Sequence, residues 1–124
     1  TNLNMLGTYY AVGKYVPSLE RSVLDIEVLT KNTEGRGVFM NLLSEDDLTR
    51  KVAEEYRGML QTRNITVDIG SNVRDNAEEL KLMMECGTCV FIAQAGKTTY
   101  KHLEQMEQLC ERFHVVILGC IIIE

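Results

Sequence analysis

The stretches TCVFIA (88–93), VVIL (115–118) and III (121–123), with TTYKHLEQMEQLCERF (98–113) between the first and the other two, decide the fold. None of the three apolar runs alternates with polar residues, which is the pattern of a strand covered by helices on both faces. Between them Leu103, Met106, Cys110 and Phe113 recur at spacings of three and four, one face of a helix. Strand, glycine-containing turn, helix and strand make a crossover, and a crossover joins parallel neighbours. The predicted centre is therefore a parallel sheet.

Working outward, VFMNLL (38–43) and ITVDI (65–69) are two further strands. Leu48, Val52, Tyr56, Met59 and Leu60 form one helical face after the first of them, and Ala77, Leu80 and Met84 another after the second. Ser44 with Asp47, and Asp75 with Glu78, have capping-box spacing, and Thr98 is placed to cap the third helix. The alternation predicts a doubly wound, mainly parallel α/β sheet sandwiched between helices, like that of a P-loop NTPase or a Rossmann domain. Before it, residues 4–12 suit a short strand or arm. Pro17 and Ser18 are expected to open a helix that turns Leu19, Val23, Ile26 and Leu29 inward. NTEGRG (32–37) is a loop by composition, giving an arm over 1–36 packed on a core over 37–124, within one domain.

Bulk properties limit the function classes. With 124 residues, 45% of them hydrophobic, the chain supports one core. A net charge of -5 without clustered Lys and Arg argues against a nucleic-acid surface. No apolar run approaches the roughly 18 residues of a membrane span. The chain starts at Thr1 rather than Met, so it is expected to be part of a longer protein, with any membrane span outside it.

Cys86 and Cys89 form a C-x-x-C, and Cys110 with His114 offers further metal-type donors. Their positions favour core thiols: Cys89 opens a buried strand, Cys120 lies within the last one and Cys110 is on the inward face of its helix. A redox C-x-x-C also needs a helix N-terminus to acidify it, and this one follows a helix. The sequon at Asn64 carries no weight without a sign of secretion.

Ligands of doubly wound sheets sit beyond the carboxyl ends of the strands, so the loops to search are 43–47, 69–75 and 94–99. AGKT (95–98) looks like the end of a phosphate loop, but the full spacing demands glycine where Phe91 stands. What remains is a turn at Gly96, a polar Thr98 and Lys97 near a helix start.

From Asn64 onward, ITVDIG, NAEELKLMMECGTCVFIAQAGKT and HVVILGCIIIE resemble the C-terminal half of the bacterial tyrosine kinases and chain-length regulators of capsular and exopolysaccharide export. MLGTYY (5–10) is similar to the segment leading from that family's second membrane helix into its cytoplasmic domain. The resemblance implies a P-loop-like fold, with the nucleotide site after the strand at 38–43. There the family has a glycine-rich loop ending in Gly-Lys-Ser/Thr, whereas this chain has Glu45, Asp46 and Asp47 without glycine or lysine. Clustered carboxylates oppose phosphate binding. Asp68 matches the family's magnesium-holding acid, and the family's C-terminal tyrosine cluster is missing.

The resemblance thus implies a degenerate, non-catalytic regulatory or scaffold domain on the cytoplasmic side of the bacterial membrane. Its expected partners are its own copies or a kinase of the export complex. No catalytic residue, metal ligand or cofactor is expected. Ser44, Asp47, Asp68, Gly96, Lys97 and Thr98 are the candidate ligand-binding residues at the carboxyl edge. Two alternatives remain: a nucleotide- or phosphate-binding enzyme built on Lys97, Thr98 and Asp68, and a receiver-like signalling module with an acidic pocket of Asp46, Asp47 and Asp68.

Overall fold

The computed structural model describes residues 11–16, 21–24, 29, 33 and 37–124. Its strands are β1 (Ala11–Val16), β2 (Arg21–Leu24), β3 (Val38–Leu42), β4 (Val67–Gly70), β5 (Thr88–Gln94) and β6 (Val116–Ile123). Helix α1 (Asp47–Gln61) joins β3 to β4, α2 (Ala77–Cys86) joins β4 to β5, and α3 (Tyr100–Arg112) joins β5 to β6. The sheet order is β2-β1-β6-β5-β3-β4, in which every neighbouring pair is parallel except β1 with β2.

The unbroken apolar runs have a direct physical reason. On β3, Val38, Met40 and Leu42 enter the core beneath α1 with Val52, Ala53, Tyr56 and Leu60, while Phe39 and Leu43 enter the opposite core. On β5, Val90 and Ile92 share the α1 side, and Cys89, Phe91 and Ala93 lie under α2 and α3 with Met83, Leu103, Met106 and Cys110. Successive side chains leave a strand on opposite faces, so a strand with a helical layer on each face is apolar at nearly every position, Asn41 on β3 being an exception. This is the doubly wound, mainly parallel α/β sandwich that the sequence predicts.

Several local expectations differ. Within the helix expected from Pro17, residues 21–24 form strand β2, held antiparallel to β1 with Gly13 opposite Leu24 and Val16 opposite Arg21. Residues 1–10, 17–20, 25–28, 30–32 and 34–36, on which the rest of the expected arm falls, lie outside the described residues. Thr33, assigned to a loop by composition, is helical and buried, as is Leu29. Helix α2 turns Leu80, Met83 and Cys86 inward, whereas Met84, expected inside, is 45% exposed, and Ala77 is also exposed. Phe113 is half-buried against the core and caps the C-terminus of α3.

All three helix caps lie beyond the residue that spacing suggested. The N-cap of α1 is Asp46, not Ser44; that of α2 is Asn76, not Asp75; that of α3 is Thr99, not Thr98. Each accepts from a backbone N–H of the first turn: Asp46 from Thr49, Asn76 from Glu78 and Glu79, Thr99 from His102.

Candidate functional site

Strands β3 and β5 are neighbours whose chains leave in opposite directions, β3 through α1 on one face and β5 through α3 on the other. That divergence defines the topological switch point of the sheet, where open α/β folds have a crevice for ligands. Four of the six candidate residues converge there: Ser44 from the loop after β3, and Gly96, Lys97 and Thr98 from the loop after β5.

The loop after β5 is built on a tight turn. The N–H groups of Lys97 and Thr98 both donate to the Gln94 carbonyl, each at 3.0 Å, and Gly96 takes a φ of 80°. A positive φ at the third position of a turn is what glycine supplies without strain. Thr98 is thereby carried back over the strand end, where it is buried and accepts from Gln94 N–H at 2.9 Å.

Side chains then fasten the two loops together. The hydroxyls of Ser44 and Thr98 are hydrogen-bonded at 3.1 Å, and Lys97 Nζ donates to Asp46 Oδ2 at 2.8 Å. Thr49, buried in the first turn of α1, donates to Gln94 Oε1 at 3.4 Å. The Lys97 ammonium and the Thr49 N–H together hold the Asp46 carboxyl below its ordinary range. Lys97, the one cation in the phosphate-loop-like stretch, is therefore ion-paired with Asp46, while the hydroxyls of Ser44 and Thr98 serve each other.

The neighbouring loop after β4 is bound in as well: Ser71 Oγ donates to Glu45 Oε1 at 2.7 Å, and Ser71 N–H to Glu79 Oε1 at 2.9 Å. Two buried side-chain nitrogens are left over among the described residues, Asn41 Nδ2 and Arg57 Nε on α1. Asn41 on β3 is 1% exposed, and its Nδ2 has no hydrogen-bond partner among the described residues.

The other two candidates lie apart from this cluster. Asp47 is exposed in the first turn of α1, where a carboxylate complements the helix dipole. Asp68, matched to the magnesium-holding acid, lies inside β4, which runs on to Gly70, and stands opposite Phe39 in register. From there it accepts from Cys86 Sγ at 3.5 Å, at the far end of α2. The side chains of Asp46 and Asp68 are thus committed to different partners.

The thiols behave as core groups. Cys86 faces Asp68, and Cys89 faces Cys110 with 3.6 Å between the sulfurs, so the two halves of the C-x-x-C diverge. Cys86 is pushed up to about 12 by burial and by the Asp68 carboxylate, and Cys120 to about 12 by burial. Cys89 is raised well above its ordinary value by its hydrogen bond to Cys110 and by burial. Among the described residues no three His, Cys, Asp or Glu side chains are grouped to hold a metal ion. Among them, too, no helix is long and apolar enough to cross a membrane.

No family model, no curated protein and no solved structure matches the chain.

Proposed function

We propose that this domain is a non-catalytic α/β module that acts by protein contacts. One observation carries the reading: the loops at the switch point are bonded to each other by their own side chains, Lys97 to Asp46 and Ser44 to Thr98. A phosphate entering there would have to break a charge-assisted hydrogen bond and displace a carboxylate, without a glycine-rich loop to receive it. The sequence resemblance supplies the setting, a regulatory or scaffold role on the cytoplasmic side of a membrane-anchored capsule or exopolysaccharide chain-length or export regulator. Its partners there would be copies of itself or a kinase of the export complex.

The enzyme alternative draws on Lys97, Thr98 and Asp68, and Asp68 is bonded to Cys86, whereas Lys97 is bonded to Asp46 and Thr98 to Ser44. Titration calorimetry with ATP and magnesium is the test, with no saturable heat expected. A micromolar ATP site that disappears in Lys97→Ala would refute the reading.

A further inference from the structure

A cleft of about 390 Å³ lies between α3 and the loop before α2, lined by Arg74, Gln105, Met106, Gln108, Leu109 and Arg112. A smaller one of about 140 Å³ continues it past Arg74 toward His102 and Asp75. Arg74 Nη1 donates to the neutral Gln105 Oε1 at 3.3 Å. Neither Arg74 nor Arg112 is ion-paired with a carboxylate among the described residues. Both arginines are exposed.

The helix sorts its charges into separate stripes. At about 100° per residue, Lys101, Gln105, Gln108 and Arg112 fall within one flank, and Glu104, Glu107 and Glu111 fall roughly 100° away on the other. Leu103, Met106 and Cys110, which hold the helix to the sheet, centre about 100° beyond the glutamates and about 160° from the first flank. A chain with net charge -5 thus presents a flank whose main cleft has two guanidiniums, two amides, an apolar floor and no carboxylate.

We propose that this cleft binds an acidic polypeptide segment of a partner protein. Two carboxylates of the segment meet Arg74 and Arg112, and an apolar side chain between them covers Met106 and Leu109. Guanidinium matches carboxylate geometry in a two-pronged fashion, and the amides of Gln105 and Gln108 both donate and accept, as an extended main chain requires. Gln105, which holds Arg74, and Arg112 are seven residues apart on the helix, about 10 Å at 1.5 Å per residue. An extended segment covers that distance in about three residues. The choice of a polypeptide rather than a metabolite rests on the contact-module reading.

The test is fluorescence anisotropy of a labelled ten-residue peptide carrying two glutamates three positions apart with a leucine between them, titrated with the whole chain. A control peptide has glutamines in place of the glutamates. Binding of the acidic peptide is expected to weaken about tenfold or more in the double variant Arg74→Glu/Arg112→Glu, and to weaken between low salt and roughly 0.3 M. Thermal melts establish that the double variant is folded; the single Arg112→Gln variant gives the same readout with a smaller perturbation. Absence of saturable binding, equal binding of the control, or binding unchanged in the double variant overturns the proposal. Citrate binding that is lost in the double variant, with no peptide binding, overturns the polypeptide class. ATP binding lost in Lys97→Ala refutes the contact-module reading by a separate signal at a separate site.

Discussion

Replacing Gly70 by alanine tests the packing at the carboxyl end of β4. A Cβ at Gly70 would stand 2.5 Å from Phe39 Cζ and 2.6 Å from Glu79 Oε1. The two neighbours respond differently. The Glu79 carboxylate ends a flexible side chain and can swing away, at the loss of its 2.9 Å bond from Ser71 N–H. The Phe39 ring is fully buried in the core shared with α2 and α3 and has nowhere to go. Overpacking of this kind costs about 1–3 kcal/mol, and a hydrogen bond to a charged group about 1.5–3 kcal/mol, less where water replaces it. The expected loss for Gly70→Ala is therefore about 2–4 kcal/mol, a large share of the roughly 5–15 kcal/mol that holds a domain together.

Gly58 is the internal control. It is exposed within α1, and a Cβ there meets nothing within 4 Å, so Gly58→Ala is expected to gain about 0.5–1 kcal/mol from helix propensity. Urea titration followed by far-UV circular dichroism reads both, with midpoints moving in opposite directions at unchanged slope. Adding Phe39→Leu should restore part of the loss in Gly70→Ala, and adding Glu79→Ala should not. If Gly70→Ala stays within about 0.5 kcal/mol of the parent, the close approach of Phe39 to β4 is wrong.

Two further predictions concern pH. Cys86 and Cys120 are raised from the ordinary thiol value of 9.0 to about 12, so the unfolded chain releases their protons first. The contribution of these two thiols should be constant below pH 9 and fall through the window up to about 12, by at most about 1.4 kcal/mol per pH unit for each thiol. Cys120→Ala should flatten that slope in alkaline urea titrations, and an unchanged slope would contradict the burial of its sulfur. Asp46 shifts the opposite way: its contribution is present above the unfolded carboxylate value near about 3.9 and is lost as pH falls through its depressed folded value. Asp46→Ala is expected to cost about 1 kcal/mol at neutral pH as a lost cap, whereas Asp46→Asn keeps the cap and loses the acid-side dependence. Superimposable acid titrations of the parent and Asp46→Asn would count against the Lys97 contact. Lys97→Ala should cost under about 0.5 kcal/mol, since the lysine side chain is 58% exposed.

Much of the architecture was legible because the strands between two helical layers are apolar at nearly every position, Asn41 on β3 being an exception, and because α1 and α3 have clean apolar faces. Strand β2 was not. Its four residues RSVL gain their conformation from pairing with β1, and local spacing with Leu19 and Ile26 imitates a helix. The caps slipped because each helix start offers two or three competent residues in succession, such as Thr98 and Thr99. Tertiary demand decides among them: Thr98 serves the strand end and Ser44, which leaves Thr99 for the helix. The cluster at the switch point was anticipated for Ser44, Gly96, Lys97 and Thr98. Asp68 was grouped with them, and nothing in ITVDI reveals that its side chain meets Cys86 at the end of α2. The basic stripe of α3 was readable from Lys101 to Arg112, but nothing in the sequence places Arg74 across from it.

The position of β1 bears on how the chain reaches its fold. It pairs with β6, Tyr15 opposite Ile123, and the Glu124 N–H donates to the Tyr15 carbonyl at 2.9 Å, so every other element described lies between the two partners in sequence. A ribosome adding about 5–20 residues per second would expose β1 roughly 5–20 s before its partner exists. During that interval β1 has only the local hairpin with β2, and its other edge is open to any extended segment nearby. Closing the sheet is thus a late, non-local step of the kind that sets slow folding rates. It is also the step at which one chain's β1–β2 hairpin could be captured by the β6 of another.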